Sequence, residues 1–268
     1  MTLFDSVDYH YARYRPRLPD KVVQLLAQEL DGVNAPTLLD LGAGTGQVAL
    51  SMLPALPPTT HLDLVDQEQD MLRTALDELQ PHLGGRTATG HVIPAEEFAP
   101  AQPAYRADLI TCCRAFHWMD RPAVLAMAGR VAAPQAAVAV MGDGSLWTHP
   151  AEWTAALKDL IQSHLGEDRR AGTTGAYREP GRHYEDDLAD SAFSDITEHR
   201  IPFTRAWTPP DVLGYLRSTS FARPDLFADH SGFEEQAGAL LLQHAQDGVL
   251  HEDGVFTVLL ARRPGASR

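Results

Sequence analysis

The sequence predicts a doubly wound α/β fold: a mainly parallel sheet with helices on both faces, an antiparallel last strand, and a helical and loop insertion after the fifth strand. Two observations carry this expectation. Short apolar runs of strand length alternate with amphipathic helical segments four or more times between residues 22 and 141. Crossovers joining parallel strands through helices are right-handed in nearly all cases, which leaves the doubly wound sheet as the main solution.

Residues 22–30 place Val22, Val23, Leu25, Leu26 and Leu30 in a helical pattern, and Asp31-Gly32 stops it. Thr37-Leu38-Leu39-Asp40-Leu41 is a short apolar run of the kind that forms a buried strand. A helix from about Gly46 runs until Pro54, Pro57 and Pro58 forbid its continuation. Strands are expected at 61–65, 88–93, 107–113 and 136–141, with helices at 67–80 and 121–132. Beyond Met141 the pattern loosens. A helix at 151–165 carries Trp153, Leu157 and Ile161 on one side, while the charged, glycine-rich stretch 166–190 reads as a loop. A strand at 194–203, helices at 211–220 and 233–246, and a last strand at 254–263 complete the pattern.

The chain has 268 residues, 44% of them hydrophobic, enough to bury a real core. Its 22 Lys+Arg against 36 Asp+Glu leave a net charge of −14, which repels nucleic acid and anionic lipid, so neither is an expected partner. No run reaches the ~18 unbroken apolar residues of a membrane span, and Met1–Arg17 holds no apolar signal core. A soluble, cytoplasmic protein is the expectation. Cys112 and Cys113 are adjacent, cannot staple distant segments, and read as small strand hydrophobes; no Cys/His metal spacing is present.

The strongest local feature is Leu38-Leu39-Asp40-Leu41-Gly42-Ala43-Gly44-Thr45-Gly46. A strand that ends in glycines and opens a helix is expected to present free backbone N–H groups and to let a ligand approach without meeting a Cβ. The dinucleotide fingerprint needs Gly or Ala where Gln47 stands, so that cofactor class is disfavoured. The second strand ends in Asp66, whose carboxylate can accept both hydroxyls of a ribose. The alternative for Asp66 is a cap on the helix that starts at Gln67, and it could serve as both, with the ligand role favoured by the glycine loop upstream.

Three stretches in order, LLDLGAGTGQVAL, LDLVDQEQDML and ADLITCCRAFHWMDRPAVLAMAGRVAAPQAAVAVM, resemble the class I S-adenosylmethionine-dependent methyltransferases, in particular their small-molecule branch. The resemblance covers residues 9–141, with a weaker echo toward the carboxyl end. It implies a Rossmann-like fold with S-adenosyl-L-methionine as cofactor. Asp40 would lie by the methionine amino group and Gly42, Gly44 and Gly46 would line the cofactor. Asp66 would take the ribose diol, with Gln67 and Met71 near the adenine. The adenine stretch, commonly Gly-Asp-Ala-Glu, is here Ile93-Pro94-Ala95-Glu96, leaving Ala95 and Glu96 as ring contacts. Arg114 and Ala115 end the fourth strand, where backbone groups meet the methionine part.

On the acceptor side, His117 is a candidate general base or an N-terminal cap for the helix at 121–132. Phe116 is a candidate apolar wall against the sulfonium or plain core packing. In similar methyltransferases a stretch like Tyr9–Arg17 folds over the cofactor mouth; Arg15 would pair with the cofactor carboxylate, and Tyr9, with Tyr11 and Tyr14, would line the acceptor pocket. The same residues also suit a solvated arm. Residues 1–268 are read as one methyltransferase domain, with 1–30 as an amino-terminal lid and helix, and 142–195 plus 205–250 as a substrate-facing cap. Within that cap Asp143, Trp147, His149 and Trp153 follow the fifth strand, and Tyr177, Arg178, His183 and Tyr184 are loop candidates.

The leading expectation is methyl transfer to an O or N atom of a small metabolite, in antibiotic or other natural-product biosynthesis, with a homo-oligomer allowed. An NAD(P)-dependent oxidoreductase and a non-catalytic cofactor-binding protein are the alternatives.

Overall fold

The computed structural model describes residues 5–168, 170–171, 175–176 and 181–266. In chain order its elements are α1 (Asp5–Tyr14), α2 (Asp20–Gln28), β1 (Thr37–Leu41), α3 (Gln47–Met52), β2 (His61–Asp66), α4 (Gln69–Leu79), β3 (Thr87–Val92), β4 (Ala107–Cys113), α5 (Arg121–Val131) and β5 (Ala132–Gly142). There follow α6 (Glu152–Leu165), the two-residue strands β6 (Arg170–Ala171) and β7 (Gly175–Ala176), α7 (Tyr184–Ala189), β8 (Asp195–Trp207), α8 (Pro209–Arg217), α9 (His230–His244) and β9 (Leu250–Arg262).

Seven strands form one sheet in the order β3-β2-β1-β4-β5-β9-β8. The pairs β1–β2, β1–β4, β2–β3 and β4–β5 are parallel, and β9 runs antiparallel to β5. The order reverses between β1 and β4, so the chain leaves the sheet in opposite directions from those two strands. This is the crevice where open α/β sheets hold ligands.

The chain falls into two compact units. One comprises Pro16–Asp143, Pro180–Ile201 and Phe256–Arg268; the other comprises Met1–Arg15, Gly144–Glu179 and Pro202–Val255. The segments expected to form a lid and cap are therefore divided, with 16–30 and 180–195 belonging to the first unit.

In the first unit, one face of the sheet buries Leu39, Leu41, Ile110, Val138 and Val140 against Val124, Leu125 and Ala128 of α5. Helix α3 is short because Pro54 follows, and it is buried nearly all round. The α5 helix starts at an Asp120 cap that accepts from the Ala123 amide, with Pro122 in its first turn.

In the second unit, Trp153, Leu157 and Ile161 of α6 pack with Val212 and Leu216 of α8 and Phe233, Ala237 and Leu241 of α9. Helix α8 begins with a reciprocal Thr208–Asp211 capping box. The amino-terminal stretch is a helix rather than an arm. Its polar-aromatic sequence shows no apolar stripe, yet rings and cations pair one turn apart: His10 stacks on Tyr14 at 5.7 Å, and Arg15 lies 4.7 Å from the Tyr11 ring. A second difference is α7, two helical turns inside the stretch 166–190 read as a loop. Its Leu188 is buried in the first unit's core, a long-range contact that the local charge pattern does not show.

Gly214 is the packing point between α1 and α8. A Cβ there would stand 2.4–2.5 Å from three ring atoms of Tyr14. Gly214→Ala is expected to cost about 1–3 kcal/mol by overpacking, read as a lower midpoint in urea unfolding. A midpoint equal to the parent's would remove this contact from the packing of the helix.

Candidate functional site

The site is built where β1 and β4 diverge. Asp40 is the fourth residue of β1, and in register with Thr111 of β4. Only 1% of Asp40 is exposed. The Thr111 hydroxyl donates to Oδ1 at 2.7 Å, while Oδ2 is buried with no hydrogen-bond partner among the described residues. Burial first, and then the nearby Asp66 charge, push the Asp40 carboxyl up to about 7, against the opposing pull of the Thr111 bond. A buried carboxylate oxygen with no donor is costly unless a cationic or N–H-bearing group completes it.

The glycine loop that follows is closed on itself. The amides of Gly42 and Ala43 both donate to the Val65 carbonyl, at 2.8 and 3.0 Å, and the Gly46 amide donates to Ala43 O at 2.9 Å. The Gly44 amide donates to Asp66 Oδ2 at 2.8 Å. These four N–H groups are not held out for an anion, which corrects the expectation of a free-amide loop. Gly42 serves close approach instead: with φ at +66°, its Cβ would meet Ala115 Cβ at 2.4 Å. Gly44 and Gly46 also hold positive φ, at 53° and 78°.

Asp66 ends β2, one strand from Asp40. Besides Gly44, it accepts from the Glu68 amide through Oδ1 at 3.0 Å, while the extended residue at the start of α4 is Glu68 itself. Asp66 is thus no helix cap. Two amides orient its carboxylate and occupy about half of its roughly four lone-pair positions. The remainder suit a pair of hydroxyls. Two acid groups stand together here, and one loop amide, that of Gly44, holds Asp66 while those of Gly42 and Ala43 end on the Val65 carbonyl.

The end of β4 supplies the third side. Arg114 takes a left-handed conformation with φ at 57°, and its amide donates to Met141 O at 2.9 Å. Its Nε pairs with Asp143 Oδ1 at 2.5 Å. The next residues, Phe116–Trp118, form a 3₁₀ turn. Phe116 is 2% exposed, sits in the core, and meets Tyr184 of α7 edge-on at 5.3 Å, so it is a packing residue and not a wall of the site. His117 is exposed and lies 4.6 Å ring to ring from Trp118, itself 56% exposed. Asp120, not His117, caps α5.

Residues 39–138 match the family model for a methyltransferase domain. A malonyl-[acyl-carrier protein] O-methyltransferase of Geobacter sulfurreducens is 33% identical over 223 residues, spanning 80% of this chain and 75% of that protein. The chain belongs to the class I S-adenosylmethionine-dependent methyltransferases. An uncharacterised methyltransferase of Mycobacterium tuberculosis is 24% identical over 221 residues, 81% of this chain and 76% of its own. A candidate type II methyltransferase structure from Anaeromyxobacter dehalogenans shares the fold at a TM-score of 0.62 and 20% identity, covering 93% of this chain and 98% of that one.

The methyltransferase's other expected site residues separate into groups. Asp66 and Val92 are partners in register, so Gln67 and the turn Ala95–Glu97 leave adjacent strand ends. Gln67 is exposed and Met71 and Glu96 half-buried, whereas the Ala95 side chain is buried in the core beside Phe98. In the second unit Tyr9 is 57% exposed on α1. Arg15 spends its donors on α8: Nε on Ser218 Oγ at 3.1 Å and Nη2 on Ser218 O at 3.0 Å, with its guanidinium 4.7 Å from the Tyr215 ring. These contacts tie Arg15 to the turn that follows α8. Trp153 is core and donates to His251 O, and His149 contacts Asp253 O. In the first unit His183 precedes α7, and Tyr184 packs on Phe116. Tyr177 and Arg178 lie outside the described residues.

Sequence reasoning missed Thr111, whose only signal was one hydroxyl in an apolar strand. Burial pushes the Cys113 thiol up to about 12 and the Cys112 thiol well above its ordinary value, which favours the unreactive protonated form of both. Among the described residues no His/Cys/Asp/Glu group is arranged to hold a metal, and no helix is long and apolar enough to cross a membrane.

The raised Asp40 carboxyl has a linkage consequence. The native state keeps a proton near pH 7 that an unfolded carboxyl, at its ordinary 3.8, has released. The stability contributed by that proton is full below about 4 and lost as pH rises through about 7. Urea unfolding at intervals from pH 4 to pH 8 should therefore show a decline that Asp40→Asn flattens. An unchanged slope in the variant would assign the titration to another group.

Proposed function

We propose that this S-adenosylmethionine-dependent methyltransferase transfers methyl groups to an oxygen of a small metabolite, with a carboxylate as the acceptor class. The observation that carries the cofactor half is the buried Oδ2 of Asp40, without a partner among the described residues, beside Asp66 and next to a loop in which the amides of Gly42, Ala43, Gly44 and Gly46 are already used. A pyrophosphate asks for free amides and positive potential. Here it would meet two acids instead. A ligand with an ammonium, a sulfonium and a ribose diol fits that electrostatics, which disfavours the dinucleotide reading.

The residues fit as follows. Asp40 Oδ2 would accept from the amino group of the methionine part, and ionised Asp40 would pair with its charge. Asp66 would use its two remaining acceptor directions on the ribose hydroxyls. Gln67, directly after Asp66, Met71 in the first turn of α4 and Glu96 beyond the adjoining strand end would contact the adenine. When bound, the cofactor supplies a methyl already activated by the sulfonium charge. The protein's share is therefore orientation and exclusion of water, worth about 7–11 kcal/mol in well-oriented systems.

The acceptor class rests on the Geobacter relative, an O-methyltransferase named for a malonyl group, which carries a free carboxylate. A carboxylate is already ionised at neutral pH, so its methylation requires no general base. His117 then serves to orient the acceptor, and an amine or phenol acceptor would give it proton transfer as well.

Calorimetry with S-adenosylhomocysteine and with NAD tests the cofactor half: the first should bind and the second should not. Asp66→Ala should weaken S-adenosylhomocysteine by about 1.5–3 kcal/mol, the range for hydrogen bonds to a charged group; equal affinity would take Asp66 out of the ribose site. Because the amino group favours ionised Asp40, binding at pH 6.5 should release protons, read from heats in two buffers of different ionisation enthalpy. Asp40→Asn should abolish that release. Transfer of labelled methyl to a panel of carboxylic acids, thioester-linked acids and amines tests the acceptor. Labelling confined to amines would overturn the carboxylate reading.

A further inference from the structure

The left-handed residue at the end of β4 is an arginine, a side chain that rarely adopts φ near 57°. Such outliers persist only where surrounding structure enforces them, and they concentrate at functional sites. Three contacts enforce this one. The guanidinium pairs with Asp143 Oδ1 at 2.5 Å, Nη1 donates to the Pro16 carbonyl at 3.0 Å, and the guanidinium carbon lies 5.6 Å from the Phe256 ring centroid. The pair is largely removed from water, with the side chains of Arg114 and Asp143 only 16% and 5% exposed.

A buried ion pair is a poor way to gain stability, since apolar residues of similar size do as well or better. What it does well is fix geometry. Arg114 leads directly into Ala115, and Ala115 lies so near Gly42 that a Cβ there would come within 2.4 Å of Ala115 Cβ. Met119 closes the same spot from the far end of the turn, its methyl 2.9 Å from that Cβ position. The turn after β4 and the glycine loop therefore share one contact, and a small rotation at Arg114 would displace it.

We propose that Asp143 is a positioning residue: by holding the Arg114 guanidinium it enforces the left-handed turn that seats Ala115 on Gly42, and so sets the cofactor cleft between β1 and β4. Asp143 follows β5, so the pair also ties the ends of β4 and β5 together. Its carboxylate is engaged with Arg114. This inference rests on the cofactor site proposed above.

The test uses the full chain and S-adenosylhomocysteine calorimetry at 15 °C, with KM and kcat for labelled methyl transfer. Asp143→Ala should raise Kd for S-adenosylhomocysteine and KM for the methyl donor about tenfold, with kcat changing less than threefold. Asp143→Asn keeps one hydrogen bond and should raise both about threefold, which preserves the test if the alanine variant does not fold. Glycine adopts φ near +57° without enforcement. Arg114→Gly placed on the Asp143→Ala background should therefore bring Kd back to within threefold of the parent. A merely stabilising pair gives the opposite pattern: a lower melting temperature, parental Kd at 15 °C and no recovery in the double variant. Parental Kd in both Asp143 variants, or no recovery with glycine, overturns this inference alone. Failure of the parent itself to bind S-adenosylhomocysteine overturns the cofactor site on which it stands.

Discussion

Three amides in the first loop end on the second strand: Gly42 and Ala43 on the Val65 carbonyl, Gly44 on the Asp66 carboxylate. That closure is the constraint on which the rest of the site depends. It pins the loop to a neighbouring strand before any ligand arrives, and it fixes the Asp66 carboxylate with half its acceptor capacity spare. It also leaves those donors unavailable to a phosphate. Electrostatically the cleft is defined by two carboxylates, one oriented by amides and the other buried and half-satisfied. Cations and hydroxyls complement such an arrangement electrostatically.

The burial of Asp40 ties this selection to the sheet. Its strand neighbours put it opposite Thr111 across the β1–β4 boundary, and a single hydroxyl satisfies one oxygen. The other oxygen carries a desolvation cost that raises the carboxyl toward neutrality. Under the proposed cofactor reading, stability and affinity would be opposed at this residue, since an ammonium would favour the ionised form that burial disfavours. Functional sites often carry such local costs, offset by packing elsewhere.

Much of this was legible in the residues. Alternating strand and helix patterns marked nearly every element of the sheet, because periodicity is a local consequence of which face is buried. The spacing Gly42, Gly44, Gly46 marked the sharp turn, and Asp66 one crossover later marked its partner. Other features were not legible. Helix α1 is held by ring and cation pairs and by the bare face of Gly214, none of which produces an apolar stripe. Helix α7 carries three acids in its first turn and is helical because Leu188 finds a core formed by distant strands. Phe116 and Arg15 look like ligand contacts in isolation. The structure gives the first to the core and the second to Ser218 and Tyr215.

Taken by itself, the sequence determined the doubly wound architecture, the place where the loop turns and the acids that flank it, because backbone conformation and hydrophobic period are written within a dozen neighbouring residues. Tertiary structure alone decided how donors and acceptors are shared: the loop amides with Val65 and Asp66, Thr111 with Asp40, Arg114 with Asp143. Hydrogen bonds and ion pairs between residues 22, 29 or 71 positions apart depend on strand order and register, and no local pattern encodes them.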